Sequence, residues 1–128
     1  MMKYIWIMLV AAACGTASQA QEYKTITNDE LVTLLSGEDL QLIDVRTPEE
    51  VAAGVIEGAR HIDIYDPEFV AKIERLDKSL PVAVYCAAGG RSAKASDQFN
   101  KLGFTQVYDL SGGYRGWVAA GKETVELK

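Results

Sequence analysis

Histidine occurs once, cysteine twice and proline three times in these 128 residues, and no basic cluster interrupts 18 acidic and 13 basic side chains that sum to −5. Each scarcity removes a class of function. Two Cys and one His cannot complete a four-ligand structural zinc site without recruiting carboxylates, and they allow at most one disulfide. No metal or cofactor is expected. An acidic chain without clustered Lys and Arg lacks the charge pattern that holds proteins on phosphate backbones, so nucleic acid is not an expected partner. Nor does any uncharged apolar run reach the ~20 residues that a membrane-spanning helix needs. The length suits one domain with one core.

What is present is unevenly spread. In residues 1–20 the only formally charged side chain is Lys3, and 15 of the 20 residues are hydrophobic, including all three methionines. Lys3, the eleven-residue apolar run Tyr4 to Cys14 and the small polar residues after it have the three-part layout of a secretory signal peptide. Ser18-Gln19-Ala20 places small residues where signal peptidase needs them, so cleavage is expected after Ala20 and the mature domain spans 21–128. The alternative is a lipoprotein box, Ala11-Ala12-Ala13-Cys14-Gly15, with Cys14 acylated as the new N-terminus. Export, most simply to the periplasm, follows from either reading. Cleavage after Ala20 leaves 12 basic and 18 acidic residues, a charge of −6, one cysteine, Cys86, and no stable membrane span.

The rest of the chain alternates two patterns. Thr27-Asn28-Asp29-Glu30 is a capping box, and Leu31, Leu34 and Leu35 form an apolar helical face before Gly37. Leu40 to Val45 is short and apolar, as a buried strand is, and Thr47-Pro48-Glu49-Glu50 starts a second helix that ends near Gly54. Asp66-Pro67-Glu68 opens a helix with Phe69, Val70, Ile73 and Leu76 on one face. Pro81 to Tyr85 is another strand, Ser92 to Leu102 a helix, Phe104 to Leu110 a strand, and Tyr114 to Ala120 a last short helix. This alternation predicts an α/β layered domain with a mainly parallel sheet, whose ligands bind at the carboxyl ends of the strands.

Cys86 stands at such an end, followed by Ala87-Ala88-Gly89-Gly90-Arg91 and a helix start. Backbone N–H groups and the positive end of a helix dipole favour thiolate over thiol, and Arg91 adds a positive charge at the rim. The glycines permit close approach of backbone to a ligand, and the alanines leave the space beside Cys86 open. Taken alone, a lone cysteine is more readily a buried structural residue. The strand-to-helix context with two glycines and an arginine favours a reactive one.

Three blocks in order resemble the rhodanese-like sulfurtransferases from about Lys24 to Val125. They are Leu42 to Glu50; Gly54 to Ala59; and Cys86 to Ser92 with the closing segments Leu102-Gly103-Phe104 and Leu110 to Trp117. The resemblance implies a three-layer α/β/α fold and a cysteine that carries sulfane sulfur as a persulfide. Cys86 is then the nucleophile, the main-chain amides of Ala87, Ala88, Gly89, Gly90 and Arg91 its cradle, and Arg91 an anion contact. The implied partners are a small sulfur-donor anion such as thiosulfate and a thiophilic acceptor, either cyanide, a thiol or a protein. Asp44 and Arg46 are expected to form an ion pair supporting the loop, with contact to substrate as the alternative, His61 to be a hydrogen-bonding residue and Trp117 a core anchor. One departure stands out: many members carry Gly-His-Ile where this chain has Gly54-Val55-Ile56.

Rival chemistries fit less well. The phosphate loops of phosphatases and arsenate reductases place five residues between Cys and Arg, whereas here there are four, a smaller enclosure. A thiol protease or disulfide oxidoreductase would need a supported histidine or a Cys-x-x-Cys pair. The remaining alternative is a sulfur-carrier or binding module serving a protein partner with little turnover of its own.

Overall fold

The computed structural model describes residues 22–37 and 39–128. The leader, its cleavage point and Cys14 lie outside the described residues. Ten elements follow in order: β1 (Lys24–Ile26), α1 (Asn28–Leu35), β2 (Gln41–Asp44), α2 (Pro48–Val51), β3 (Arg60–His61), α3 (Phe69–Glu74), β4 (Val82–Tyr85), α4 (Gly90–Lys101), β5 (Val107–Leu110) and α5 (Gly113–Ala119). The strands form one sheet in the order β1-β5-β4-β2-β3, and each pairing is parallel. Both β2 and β4 are buried along their whole length, so neither alternates between buried and exposed residues; β4 is an apolar run, whereas β2 buries Gln41 and Asp44 beside Leu42 and Ile43.

Because side chains alternate across a strand, the sheet feeds two cores. Ile43, Val45, Val82, Val84, Cys86 and Val107 face one side, where α3 and α4 contribute Phe69, Ile73, Ala95 and Phe99. Leu42, Ala83, Tyr85 and Leu110 face the other, covered by Leu31 of α1 and Trp117 of α5. The result is the expected three-layer α/β/α arrangement. Cys86 immediately follows the central strand β4, and on one side Asp44 at the end of β2 is registered opposite Tyr85.

Several boundaries differ from the sequence reading, each for a physical reason. Strands β1 and β3 were not anticipated: they are edge strands of three and two residues, and β3 is not buried, so neither carries an apolar run. Phe104 is buried but precedes β5, serving as an edge-to-face partner of Phe99 with centroids 4.9 Å apart rather than as a strand residue. Val70 does not share the buried face of α3 with Phe69 and Ile73 but is 43% exposed, because it lies about 100° round the helix from Phe69, off the i, i+4 stripe those two residues form. Helix α4 begins at Gly90, two residues before Ser92, which puts Arg91 in its first turn. No helix among the described residues is long and apolar enough to cross a membrane.

Candidate active site

Parallel pairing brings the carboxyl ends of β2 and β4 together, and the chain leaves both at one edge of the sheet. Val45 N–H donates to Tyr85 C=O at 3.0 Å, carrying the pairing one residue past the strands. Cys86 follows, 1% exposed. Its Sγ accepts a hydrogen bond from Gly89 N–H at 3.0 Å and lies 3.6 Å from Ser92 Oγ. Ser92 Oγ in turn donates to Gly89 C=O at 3.1 Å, closing a small ring around the sulfur. Burial pushes the thiol up. The Ser92 hydroxyl and the amides of Ser92, Gly89 and Ala88 pull it down, and the balance falls below the ordinary thiol value. The twelve-residue α4 starts within this loop, so its unpaired N–H groups face the same space.

Gly89 has φ +111°, and a Cβ there would stand 2.8 Å from Ser111 C=O. Glycine is required at this position by conformation and by space. Gly90 is different. It is the first residue of α4 and has no positive φ, and a Cβ there would meet nothing within 4 Å, so one glycine and not two shapes the turn.

The loop is braced from below by the turn between β5 and α5. Tyr114 N–H donates to Cys86 C=O at 2.8 Å and Arg115 N–H to Ala87 C=O at 3.1 Å. These bonds aim two carbonyls away from the sulfur, which leaves the amide edge of the loop turned toward it. Gly113, at φ +60°, lets the two segments approach: a Cβ there would lie 2.5 Å from Ala87 O and 2.7 Å from Cys86 O. Gly113 lies within the closing segment Leu110 to Trp117, whose pattern gives no sign that it braces the Cys86 loop. Nothing in the linear pattern reveals the contact, since it joins residues more than twenty positions apart.

Asp44 and Arg46 form the expected pair, and both are buried. The Arg46 guanidinium donates to Asp44 through Nε at 3.0 Å and Nη2 at 2.7 Å, and Nη2 also donates to Gly54 C=O at 2.8 Å. It stacks on the Tyr114 ring, 3.9 Å from the centroid. Arg46 thus ties the end of β2 to the exit of α2 and to α5, the helix that braces the Cys86 loop. His61 hydrogen-bonds Arg46 C=O through Nε2 at 2.6 Å, and Trp117 is a core residue whose Nε1 donates to Glu123 C=O at 2.8 Å. The apolar Val55 is buried and bonds Val125 through its backbone in both directions at 2.8 Å.

Arg91 is not a free cation at the rim. Nη1 donates to Glu50 Oε1 at 2.6 Å and Nη2 to Oε2 at 2.9 Å, a two-point ion pair across 41 residues. Glu50 is also the N3 residue of a capping box on α2, accepting from Thr47 N–H at 3.1 Å. The Arg91 guanidinium holds the Glu50 carboxyl down to about 2. The Thr47-Pro48-Glu49-Glu50 pattern marked the helix start; its second role needed the fold.

A family model for the rhodanese-like domain matches residues 27–120. A thiosulfate sulfurtransferase, GlpE, of Pseudomonas aeruginosa is 37% identical over 89 residues, covering 69% of this chain and 78% of that protein. Among solved structures, a rhodanese-related protein of Thermoplasma volcanium superposes with a TM-score of 0.70 at 31% identity, covering 80% of this chain and 98% of that one. A human single-domain sulfurtransferase superposes with a TM-score of 0.66 at 29% identity, covering 74% and 95%. Fold, motif order and matched length agree, and the chain belongs to the rhodanese-like sulfurtransferase family.

Proposed function

We propose that the protein moves sulfane sulfur from a thiosulfate-like donor to a thiophilic acceptor through a persulfide on Cys86. The carrying observation is Sγ held 3.0 Å from Gly89 N–H at the start of α4, with the thiol shifted toward thiolate. The thiolate attacks the outer sulfur of thiosulfate. A Cys86 S–S bond forms as the donor's S–S bond breaks, and sulfite leaves with the bonding pair. Cyanide or a thiolate then attacks the outer sulfur of the persulfide, taking it as thiocyanate or a new persulfide and returning Cys86 as thiolate. No separate general base is needed, because the loop favours the thiolate form of Cys86 and both leaving groups are stable anions.

The loop amides supply the donors for this charge. Those of Ala88, Gly89 and Ser92 already act on Sγ, and the outer sulfur would sit in the space that small side chains leave open above it. Asp44 and Arg46 act through the scaffold rather than on the sulfur. Residues 1–20 are proposed to direct export to the periplasm, with cleavage after Ala20. An exported protein whose N-terminal sequence begins at Gln21 supports that, whereas an acylated N-terminus at Cys14 overturns it.

Initial rates measured over a grid of thiosulfate and cyanide concentrations test the reaction. Parallel double-reciprocal lines, lost in Cys86→Ser, are expected for a persulfide intermediate formed in one half-reaction and consumed in the next. A persulfide that forms without steady-state turnover points to a carrier module serving a protein acceptor. Equal activity in Cys86→Ser rejects both.

A further inference from the structure

The first turn of α2 and the first turn of α4 converge on the Cys86 loop, and one carboxylate and one guanidinium meet between them. Arg91 lies between Gly89 and Ser92, the two residues that contact Sγ, so its charge is part of whatever potential a donor meets there. That charge is opposed by Glu50 at 2.6 and 2.9 Å. Thr47 fixes Glu50 in turn through the α2 capping box, and the pair is partly shielded, with the side chains of Arg91 and Glu50 22% and 31% exposed. Cys86 contributes to the upward shift of Arg91, so the sulfur and the guanidinium lie within electrostatic reach of one another.

We propose that Glu50 is a specificity-determining positioning residue: by holding Arg91 in a two-point ion pair it cancels the rim charge and lowers the preference of the Cys86 pocket for multiply charged anionic donors over neutral or singly charged ones. The proposal rests on the sulfur-transfer reading for its meaning but not for its test. With Arg91 compensated, the loop amides and the α4 dipole are the main source of attraction for an anion. They are short-ranged and favour charge at the sulfur itself, whereas a free guanidinium also attracts the distal charge of a dianion.

The test compares alkylation of Cys86 by iodoacetate and iodoacetamide, which share a reactive carbon but differ by one negative charge. Gln at position 50 preserves capping-box chemistry and removes the charge. Glu50→Gln should raise the iodoacetate-to-iodoacetamide rate ratio about three-fold at low salt and lower the KM for thiosulfate about ten-fold with little change in kcat. Added salt should shrink both effects. Arg91→Gln, which exposes the Glu50 charge, should lower the alkylation ratio about three-fold, and it decides the matter if Glu50→Gln does not fold. A purely structural role for Glu50 would change both reagents together. A ratio unchanged in Glu50→Gln, or in Arg91→Gln where that variant decides, overturns the proposal. Alkylation needs only a reactive thiol, so this outcome is separate from any failure of sulfur transfer.

Discussion

Replacing Gly113 by Ala tests whether the β5–α5 turn shapes the active loop. The new Cβ would stand 2.5 Å from Ala87 O, 2.7 Å from Ala87 C and 2.7 Å from Cys86 O. All three are backbone atoms, already fixed by hydrogen bonds from Tyr114 and Arg115. The left-handed backbone costs an L-residue about 1–2 kcal/mol, and forcing atoms into a packed contact adds about 1–3 kcal/mol. Backbone cannot rotate away as a side chain does, so the sum is expected at about 2–5 kcal/mol. Gly121 provides the control, because it has φ +75° with nothing within 4 Å of its would-be Cβ, and Ala there should cost only the conformational part, about 1–2 kcal/mol. In a domain of this size 1 kcal/mol moves Tm by about 4–8 °C, so the packing contribution of about 1–3 kcal/mol should separate the two melts by roughly 4–24 °C. Cys86 alkylation, followed in native conditions, should change in Gly113→Ala and not in Gly121→Ala. Equal melting losses and unchanged alkylation in both would refute the bracing role.

Asp44→Asn leaves the buried Arg46 guanidinium without its counter-charge and should cost about 3–5 kcal/mol in urea unfolding, since breaking a buried pair strands the remaining ion. Asp109 is buried with Oδ1 unpartnered among the described residues, and burial raises its pKa. An acid raised in the folded state weakens the fold at pH values above its ordinary pKa, so Asp109→Asn should stabilise by about 1 kcal/mol at pH 7, with the gain fading as pH falls through the raised folded value and gone below the ordinary 3.8. Glu50 is shifted the opposite way, from 4.5 to about 2. Its ion pair therefore stabilises the fold above pH 4.5, and that contribution is lost as pH falls toward 2. After allowance for solvent screening it is on the order of 1–2 kcal/mol, read as the difference in Tm between the wild type and Glu50→Gln across that range.

The parts of this fold that were legible in the sequence are those with local causes. The capping box at Thr27 and the apolar runs of β2 and β4 depend on residues within a few positions, and the structure follows them closely. The placement of Cys86 was legible because a strand, a small-residue loop and a helix start occur consecutively. The edge strands β1 and β3 were not, because short strands take their order from neighbours that are far away in sequence. The same holds for the site: Gly113 meets Ala87, and Arg91 meets Glu50, only after the sheet has brought separate segments together. Arg91 shows the limit clearly. Its charge could be read from the sequence, but the carboxylate that compensates it lies 41 residues away.

Intact mass of the protein after brief exposure to thiosulfate tests the Cys86 persulfide most directly. A gain equal to one sulfur atom is expected, localised to the peptide containing Cys86, removed by cyanide with release of thiocyanate and absent in Cys86→Ser. An unchanged mass with thiosulfate and with polysulfide, or an adduct that persists in Cys86→Ser, would contradict the account.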